Sequence, residues 1–390
     1  MKTKNALPIL FAVMFLVMVG FGIIIPVLPF YAEEIGASPT QLGLLMAVYS
    51  FMQLLFAPIW GRVSDKIGRK PVIMIGILGL SLSFLMMAWS TELWMLFAAR
   101  IVGGILSSAN MPTVMAYVAD ITSPEDRGKG MGIIGAATGL GFIFGPAIGG
   151  VFSEQSLNLP FYLAAASSLL TFFFVMVVLK ESLTPEQRKA QETGKKPSLI
   201  EALKGPNSIL FILQLIVSLS LAGLEATYAY FAAATAGLEA VQLGYIFMIM
   251  GLAQAFVQGG LVGKLTKRFG EGFVIQLGIV VSAIGFSLIL FTDNFFTAAL
   301  FLTIFGIGNG FIRPGVSSLL TKTSSAGHGS VTGLLSSFDS LGRIIGPPLG
   351  GLLFSITIGL PYLSGMFLSI IALMFYQIYR VRMRKLQFEN

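Results

Sequence analysis

The chain has 390 residues, of which 55% are hydrophobic and 11% charged, and its formal net charge is +7. A soluble protein carries about 25% charged residues, so this composition excludes a soluble globular domain. The sequence has no cysteine and one histidine, His328, which lies in a predicted loop. Disulfides, thiolate-bound metals and histidine-based metal or catalytic clusters are therefore excluded.

Twelve apolar runs are long enough to cross about 30 Å of hydrocarbon as helices. The predicted spans are 7–30, 41–61, 71–90, 93–117, 128–152, 160–179, 207–231, 241–262, 273–291, 295–319, 329–354 and 360–379. Span 1 follows Lys2 and Lys4, as in a signal peptide, but it is too long and lacks a clean cleavage site. We therefore expect it to be retained as the first helix of an all-α membrane protein.

The second half of the sequence repeats features of the first half at a nearly constant offset. Gly141–Gly150 reads GFIFGPAIGG, and Gly342–Gly351, 201 residues later, reads GRIIGPPLGG. Shorter matches at offsets of 201 or 202 residues are Leu159–Phe161 with Leu360–Tyr362, Met111–Pro112 with Arg313–Pro314, and Gly61 and Gly68 with Gly263 and Gly270. In a membrane protein this pattern predicts two parallel halves that face each other across a central site, as in a transporter.

The basic residues predict the orientation of the spans. All but three of the 25 Lys and Arg residues fall at the termini or in the even-numbered connections. The odd-numbered connections carry acids instead, which are Glu33, Glu34, Glu92, Glu154, Glu239 and Asp293. Because basic connections stay in the cytoplasm, we expect both termini there. The net charge then follows from topology and needs no nucleic-acid partner.

Lys180–Pro206 is the one long polar connection and divides the chain near its middle. We interpret it as a cytoplasmic linker, in which a short amphipathic helix could begin at Thr184, or else as a regulatory element. The predicted organisation is an N-terminal six-helix bundle over 1–180, a linker over 181–206 and a C-terminal six-helix bundle over 207–390.

Five charged residues inside spans are not explained by topology, namely Arg100, Glu225, Arg313, Asp339 and Arg343. A charge in the bilayer interior costs at least about 2.5–3.5 kcal/mol, so these residues should face a water-filled cavity or pair with each other. Asp339 and Arg343 are spaced i,i+4 and should form an ion pair, either functional or merely structural. Glu225 has no basic neighbour on its own helix, so it is interpreted as an unpaired, proton-binding carboxylate or as a protonated structural acid. Arg313 holds nearby backbone carbonyls or meets substrate.

The repeated Gly-Pro motifs contain Gly145, Pro146, Gly149, Gly346, Pro347 and Gly350. Proline removes a backbone hydrogen bond, which predicts bends near the outer ends of spans 5 and 11 that could seal the outer mouth. Ordinary close packing of glycine-rich faces is the alternative. A subset of the 33 Phe and 18 Met residues, facing the cavity, would give an adaptable apolar site that attracts delocalised cations.

The loop Gly61–Lys70, GRVSDKIGRK, resembles the signature loop of the major facilitator superfamily. Arg100–Gly104 resembles the arginine motif of its proton-coupled members, and Gly145–Gly150 resembles the motif of its antiporters. Ile25–Pro29 and Leu224–Ala226 are similar to the Bmr–NorA group of bacterial multidrug exporters. The resemblance covers almost the whole chain and implies twelve helices in two pseudo-symmetric six-helix bundles, the major facilitator fold.

The resemblance also implies roles for individual residues. Glu225 and Arg100 match the group's acid in helix 7 and arginine in helix 4, and with Asp339 they are the predicted proton-coupling residues. Tyr49, Gln53 and Phe142 fall at positions that line the group's drug cavity; the predicted substrate-binding set is completed by Asn110, Tyr228, Asn309 and Phe338. The predicted conformational latch consists of Asp65, Arg69, Asp120 and Arg62.

Three features depart from the group's pattern. The group has an acid three residues before the arginine that matches Arg313, and here that position is Gly310. Asp339 and Arg343 stand where the group has uncharged polar residues, so the second membrane carboxylate has either moved between helices or serves another purpose. In the second-half loop Lys267 stands opposite Asp65, which predicts a degenerate latch there.

Together these features predict a proton-coupled antiporter of the bacterial cytoplasmic membrane that exports lipophilic, often cationic drugs by alternating access. Its expected partners are small-molecule drugs, protons and membrane lipids; we expect a monomer with no cofactor, no metal and no nucleic-acid partner. The alternative is a major facilitator transporter for one metabolite, such as a sugar or siderophore. A membrane enzyme is disfavoured because no nucleophile–base or metal constellation is visible. A sensor or scaffold would show no solute flux.

Overall fold

The computed structural model describes residues 6–123, 126–183, 207–323 and 328–388. These residues form twelve helices, which are α1 (Ala6–Glu34), α2 (Pro39–Ile67), α3 (Arg69–Ala88), α4 (Leu93–Ile121), α5 (Arg127–Ser153), α6 (Leu159–Val178), α7 (Ser208–Ala236), α8 (Ala240–Phe269), α9 (Glu271–Ile289), α10 (Phe295–Thr323), α11 (His328–Ile356) and α12 (Leu360–Phe388). The order and approximate positions of the twelve predicted helices are confirmed. The helix expected from Thr184 lies outside the described residues. The loop prediction for His328 is wrong, because α11 begins one residue before the predicted span.

Two of the helices are interrupted. The two segments of α4, Leu93–Ser107 and Asn110–Ile121, are separated by a two-residue turn. Pro112 explains the break, because its ring nitrogen cannot donate a helical hydrogen bond back to the preceding turn. In α8 a π-helical turn, Val257–Leu261, widens the helix before its last segment.

Eleven of the helices are long and apolar enough to cross a membrane, and the twelfth, α11, carries Asp339 and Arg343 near its middle. Large apolar side chains lie on the outside of the bundle, including Val177 at 79% and Phe296 at 80% exposure. A soluble protein would not expose so much apolar surface. The chain is therefore a multi-pass membrane protein.

The described residues group into two compact units. Unit 1 comprises those within 1–37, 48–193 and 240–248, and unit 2 comprises those within 38–47, 194–239 and 249–390. The main helix pairs of unit 1 recur six helices later in unit 2: α1 packs on α5 as α7 packs on α11, and α3 packs on α4 and α6 as α9 packs on α10 and α12. The duplication seen in the sequence is thus repeated in the packing.

The glycines of the repeated motif make the tightest of these contacts. A Cβ atom added to Gly145 would lie 2.7 Å from Gly22 Cα, and one added to Gly149 would collide with the carbonyl group of Ile23 on α1. Real Cβ atoms do not come this close to backbone atoms, so only glycine allows the two helices to approach to this distance. Pro146 lies inside the uninterrupted helix α5, and the predicted bend there stays a prediction.

The same arrangement holds in unit 2. Cβ atoms added to Gly346 and Gly350 would collide with the backbone of Leu219 and Gly223 on α7. Pro347 also lies inside a continuous helix, so the bend predicted for it likewise remains a prediction. These glycines fix how α11 rests on α7, and thereby position the charged residues that both helices carry.

Candidate functional site

Four charged side chains form one network inside unit 2. Arg313 Nη2 on α10 lies 2.6 Å from Asp339 Oδ1 on α11, and Arg343 Nε lies 3.4 Å from Asp339 Oδ2. Arg343 Nη1 also lies 3.4 Å from Glu225 Oε2 on α7. The network therefore holds two acids and two arginines and is balanced in charge. The side chains keep partial exposure, 21% for Glu225 and 35% for Arg313, so the network is open to a small ligand or a proton.

The two carboxylates are held very differently. Asp339 Oδ1 accepts hydrogen bonds from Ser218 Oγ at 2.5 Å and from Gln214 Nε2 at 3.3 Å, in addition to Arg313. Within the described residues Glu225 has one polar contact, the 3.4 Å contact with Arg343. Charge-assisted hydrogen bonds are normally shorter, about 2.7–2.9 Å, so the Glu225 contact is weak. Glu225 is thus the carboxylate that is more easily released from its partner.

The ion pair predicted between Asp339 and Arg343 is confirmed. The interpretation of Glu225 as unpaired is wrong, because Arg343 reaches it from α11. Arg313 was predicted to hold backbone carbonyls or to meet substrate. Its main contact is instead the ion pair with Asp339. The i,i+4 spacing predicts contacts within one helix, whereas the pairs Glu225–Arg343 and Arg313–Asp339 join different helices.

Unit 1 contains a second cluster, which we call the aromatic–arginine cluster. The guanidinium carbon of Arg100 lies 5.1 Å from the centre of the Tyr49 ring, and Gln53 Nε2 donates to the Tyr49 hydroxyl at 3.1 Å. Phe21 lies against both Tyr49 and Phe142, with ring centroids 5.5 and 5.8 Å apart. Four residues predicted as functional are thus brought together. The fifth, Phe21, was missed, since nothing in the sequence distinguishes it from the other phenylalanines.

The remaining predicted substrate-binding residues lie elsewhere. Tyr228 is fully buried and its hydroxyl donates to the carbonyl of Ala298, and Phe338 belongs to the apolar core of unit 2. Asn110 is buried against α3, and Asn309 lines a small internal cavity of unit 2. These four residues contribute to packing within the units, and their contact with substrate stays a prediction.

A third cluster joins the end of α2 to the start of α3, and we call it the junction cluster. Arg69 is almost fully buried and bonds Asp65 Oδ1 at 2.6 Å and Asp120 Oδ2 at 3.0 Å. The predicted latch residues Asp65, Arg69 and Asp120 are therefore in contact. Arg62 is not part of the cluster, because the one contact of its exposed side chain within the described residues is with the carbonyl of Pro58 on its own helix.

The sequence did not reveal the acid that completes the junction cluster. Glu181 accepts the backbone N–H groups of Arg69 at 2.8 Å and Lys70 at 3.1 Å. These are the first N–H groups of α3, where a carboxylate satisfies unpaired donors and favours the helix dipole. Glu181 follows α6 in the chain, so it ties the end of the N-terminal helices to this junction.

Glycine is required at the junction and at its repeat. Gly68 has φ 110° and ψ 161°, and Gly270 has φ 82° and ψ 163°. Residues with a Cβ rarely adopt these angles. The two positions are 202 residues apart in the sequence and have nearly the same backbone conformation, so the duplication preserved the sharp turn that starts α3 and α9.

The repeat of the junction cluster in unit 2 has its charges reversed. The positions 202 residues after Arg69 and Asp120 are Glu271 and Lys322, and these two side chains form an ion pair. Ser318 Oγ also donates to Glu271 Oε1 at 3.2 Å. The expectation of a degenerate latch is therefore wrong in one respect, because the pair persists with acid and base exchanged. The prediction was based on Lys267 opposite Asp65 and overlooked the positions of Glu271 and Lys322.

The chain matches a known protein family over nearly its whole length. The profile described as Major Facilitator Superfamily matches residues 10–276 and 210–388, nearly the whole sequence. The chain belongs to the major facilitator superfamily. It is 32% identical over 377 residues to "Multidrug resistance protein 2" of Bacillus subtilis (strain 168), across 95% of this chain and 94% of that protein. It is 30% identical to "Quinolone resistance protein NorA" of Staphylococcus aureus (strain MSSA476), across 98% of both chains.

Solved structures agree on the fold of this major facilitator transporter. The nucleoside transporter NupG superposes with a TM-score of 0.78 at 15% identity, covering 97% of this chain and 99% of that one. An inward-facing bacterial homologue of the human lysosomal transporter Spinster has the same TM-score at 17% identity and covers 98% of both chains. At these identities the likeness concerns the twelve-helix fold alone.

The missing acid of helix 10 has a structural counterpart. Gly310 cannot pair with Arg313, and Asp339 on the neighbouring helix α11 supplies the carboxylate instead. An arginine inside a membrane bundle needs such a partner, because an uncompensated buried charge is costly. Arg313 thus takes its carboxylate partner from α11 and not from its own helix.

Replacing Arg69 by lysine should destabilise unit 1. The ammonium group of lysine is compact and cannot bond Asp65, Asp120 and Ser64 at once, as the planar guanidinium does. We expect a loss of about 1.5–3 kcal/mol in free energy of unfolding, since charge-assisted hydrogen bonds are lost. Thermal unfolding in detergent measures this, with Arg62→Lys as the matched control that should change little. Equal melting temperatures for the two variants would contradict this role of the junction cluster.

Proposed function

We propose that this transporter is a proton-coupled antiporter that exports lipophilic drugs, cationic ones among them, by alternating access. The observation that carries the proposal is the network of Glu225, Arg343, Asp339 and Arg313 inside a membrane-spanning unit. It contains one firmly held and one weakly held carboxylate. Relatives named for multidrug and quinolone resistance support drugs as the substrate class.

Glu225 is the proposed site of proton exchange. Its contact with Arg343 is long, so protonation would end it at little cost, and the guanidinium would keep Asp339 as partner. Asp339 keeps its contacts with Arg313, Arg343 and Ser218 throughout this exchange. In this proposal, drug and proton alternate at the same network. Inward movement of a proton provides about 2.3 kcal/mol per 100 mV of membrane potential.

The proposed location is the bacterial cytoplasmic membrane, with both termini in the cytoplasm. The basic connections between spans support this orientation. The junction cluster and its charge-reversed repeat would then lie on the cytoplasmic side, where they could stabilise the state that is closed to the cytoplasm. We propose that the transporter works as a monomer and needs no cofactor besides the coupling proton.

The proposal is tested by transport in proteoliposomes with an imposed pH gradient. We expect wild-type protein to move ethidium in response to the gradient, and Glu225→Gln to reduce the movement to the rate seen without a gradient. Glu154→Gln is the matched control, because this acid is exposed in the connection between α5 and α6. It removes the same charge outside the network and should transport normally.

The outcomes separate the candidate functions. Gradient-driven transport that survives in Glu225→Gln would refute the role of this carboxylate. If folded wild-type protein moves no ethidium and no other lipophilic cation, but moves a single sugar or siderophore, then the transporter is specific for one metabolite and the multidrug proposal fails.

A further inference from the structure

Three polar side chains that line one internal cavity of unit 2 have no hydrogen-bond partner among the residues that the structure describes. The atoms concerned are Ser220 Oγ on α7, Ser282 Oγ on α9 and Asn309 Oδ1 on α10. Only 2% of Asn309 and 4% of Ser282 are exposed. Buried polar groups are almost always hydrogen-bonded, because an unpaired one is costly. Each of the three atoms therefore needs a partner.

The cavity has room for one water molecule. The space in which the centre of a water molecule can lie is about 20 Å³, and one water needs about 10–15 Å³ of such space. Apart from the three side chains and Ser369 the lining is apolar, and it includes Phe286 and Phe305, whose ring centroids are 4.7 Å apart. An apolar ligand in this space would leave the three polar atoms unpaired.

The two serine hydroxyls do not make the bond that serines commonly make in helices. Ser287 on α9 and Ser369 on α12 each donate to the carbonyl oxygen four residues earlier, at 2.9 and 2.8 Å. Ser220 and Ser282 make no such bond within the described residues. Their hydroxyl protons are therefore available to an acceptor inside the cavity.

A single water molecule could satisfy all of these groups at once. It would accept hydrogen bonds from the hydroxyls of Ser220 and Ser282. It would donate to Asn309 Oδ1 and to Ser369 Oγ, whose own proton goes to the carbonyl of Gly365. Buried waters make two to four such bonds. A metal cation fits less well, because no lining residue is charged and hard cations take about six or more oxygen ligands.

The repeated positions of unit 1 are occupied differently. The residue 201 positions before Ser282 is Ser81, and its Oγ donates directly to the carbonyl oxygen of Ala165 on α6 at 2.9 Å. The residue 201 positions before Ser220 is Val19, which is buried and apolar. Unit 2 thus has polar groups around a cavity where unit 1 has a direct bond between helices and an apolar side chain.

We infer that this cavity is a binding site for one water molecule, which joins α7, α9, α10 and α12. Asn309 precedes Arg313 by one turn of α10, and Ser220 follows Ser218 by two residues on α7. The water thus ties α7 to α10 close to the ion pair of Arg313 with Asp339, whatever solute the transporter carries.

A crystal or cryo-EM structure of the full chain, at a resolution that shows ordered waters, tests the site directly. The expected result is one density peak about 2.5–3.0 Å from Asn309 Oδ1 and from the Oγ atoms of Ser220 and Ser282. An empty cavity in a map that shows other buried waters would overturn the inference. A peak with six or more oxygen neighbours would overturn it too, because it would be a metal cation.

Thermal unfolding of the detergent-purified full chain gives an independent test, because the sign of the change differs between a hydrated and a dry cavity. Asn309→Leu keeps the size of the side chain and removes Oδ1, so the water loses an acceptor. We expect the melting temperature to fall by about 2–4 °C. A dry cavity predicts a rise instead, since the substitution would then remove an unpaired polar atom. Ser282→Ala should shift the melting temperature in the same direction by a smaller amount.

Ser287→Ala is the matched control on α9. Its hydroxyl bonds the carbonyl of its own helix and does not line the cavity, so this substitution should change the melting temperature little. Size-exclusion chromatography establishes that each variant is folded, and Ser282→Ala gives the same comparison of sign if Asn309→Leu does not fold. A higher melting temperature in the cavity variants, or a change no larger than that of Ser287→Ala, would overturn the inference.

Discussion

Asp339→Asn is expected to lower the free energy of unfolding by about 1.5–3 kcal/mol, less than the loss of a fully buried pair, because the two arginines that it leaves behind are about one-third exposed. In the native network this carboxylate meets Arg313 at 2.6 Å and Arg343 at 3.4 Å. Asparagine has nearly the same shape but cannot balance two guanidinium groups, and Glu225 reaches only one of them. Loss of a single hydrogen bond between membrane helices costs roughly 0.6 kcal/mol on average. The expected loss is larger, so the measurement distinguishes loss of charge balance from loss of one hydrogen bond.

The measurement is thermal unfolding of detergent-purified protein. The expected loss should lower the melting temperature by about 5 °C for a unit of this size. The double variant Asp339→Asn with Arg313→Gln removes one charge of each sign, and we expect it to recover at least half of that loss. Failure of the second substitution to restore stability would show that the network is not held by charge balance, and that Asp339 acts through hydrogen bonds to Ser218 and Gln214.

Gly149→Leu is expected to prevent folding of unit 1, and Gly149→Ala to destabilise it by about 1–3 kcal/mol through overpacking. Even the single methyl group of alanine would collide with the carbonyl oxygen of Ile23 and lie 2.9 Å from its Cα. The obstacle is backbone on α1, which cannot move aside as a flexible side chain can. The helices would have to separate, and the contact between α1 and α5 would be lost.

Gly139→Ala on the same helix is the matched control. A Cβ atom there would meet nothing within 4 Å, so the substitution should be neutral or stabilise by up to about 1 kcal/mol through helix propensity. Gly350→Ala, at the repeated position in unit 2, should lie between the two, because its nearest backbone neighbour is Gly223 at 2.9 Å. Yield of monodisperse protein and melting temperature give the ranking. A Gly149→Ala variant as stable as Gly139→Ala would contradict the packing described here.

The sequence by itself determined the features that depend on neighbours along the chain. The twelve spans follow from apolar length, because a helix must satisfy its own backbone in lipid. The pair Asp339–Arg343 follows from its i,i+4 spacing. The duplication follows from glycines and prolines kept at a constant offset, and its physical basis is visible at Gly68 and Gly270, which share one unusual backbone conformation.

Only the tertiary structure decided which side chains meet across helices. The contact of Glu225 with Arg343, the place of Phe21 beside Tyr49, and the cap that Glu181 provides for α3 all join distant segments. Such contacts depend on how each helix is rotated and shifted along its axis relative to its neighbours. Close packing at glycines sets this rotation and shift, and the hydropathy of the sequence does not reveal them. The charge-reversed pair Glu271–Lys322 was not predicted either, because a duplicated contact can persist while its acid and base change places.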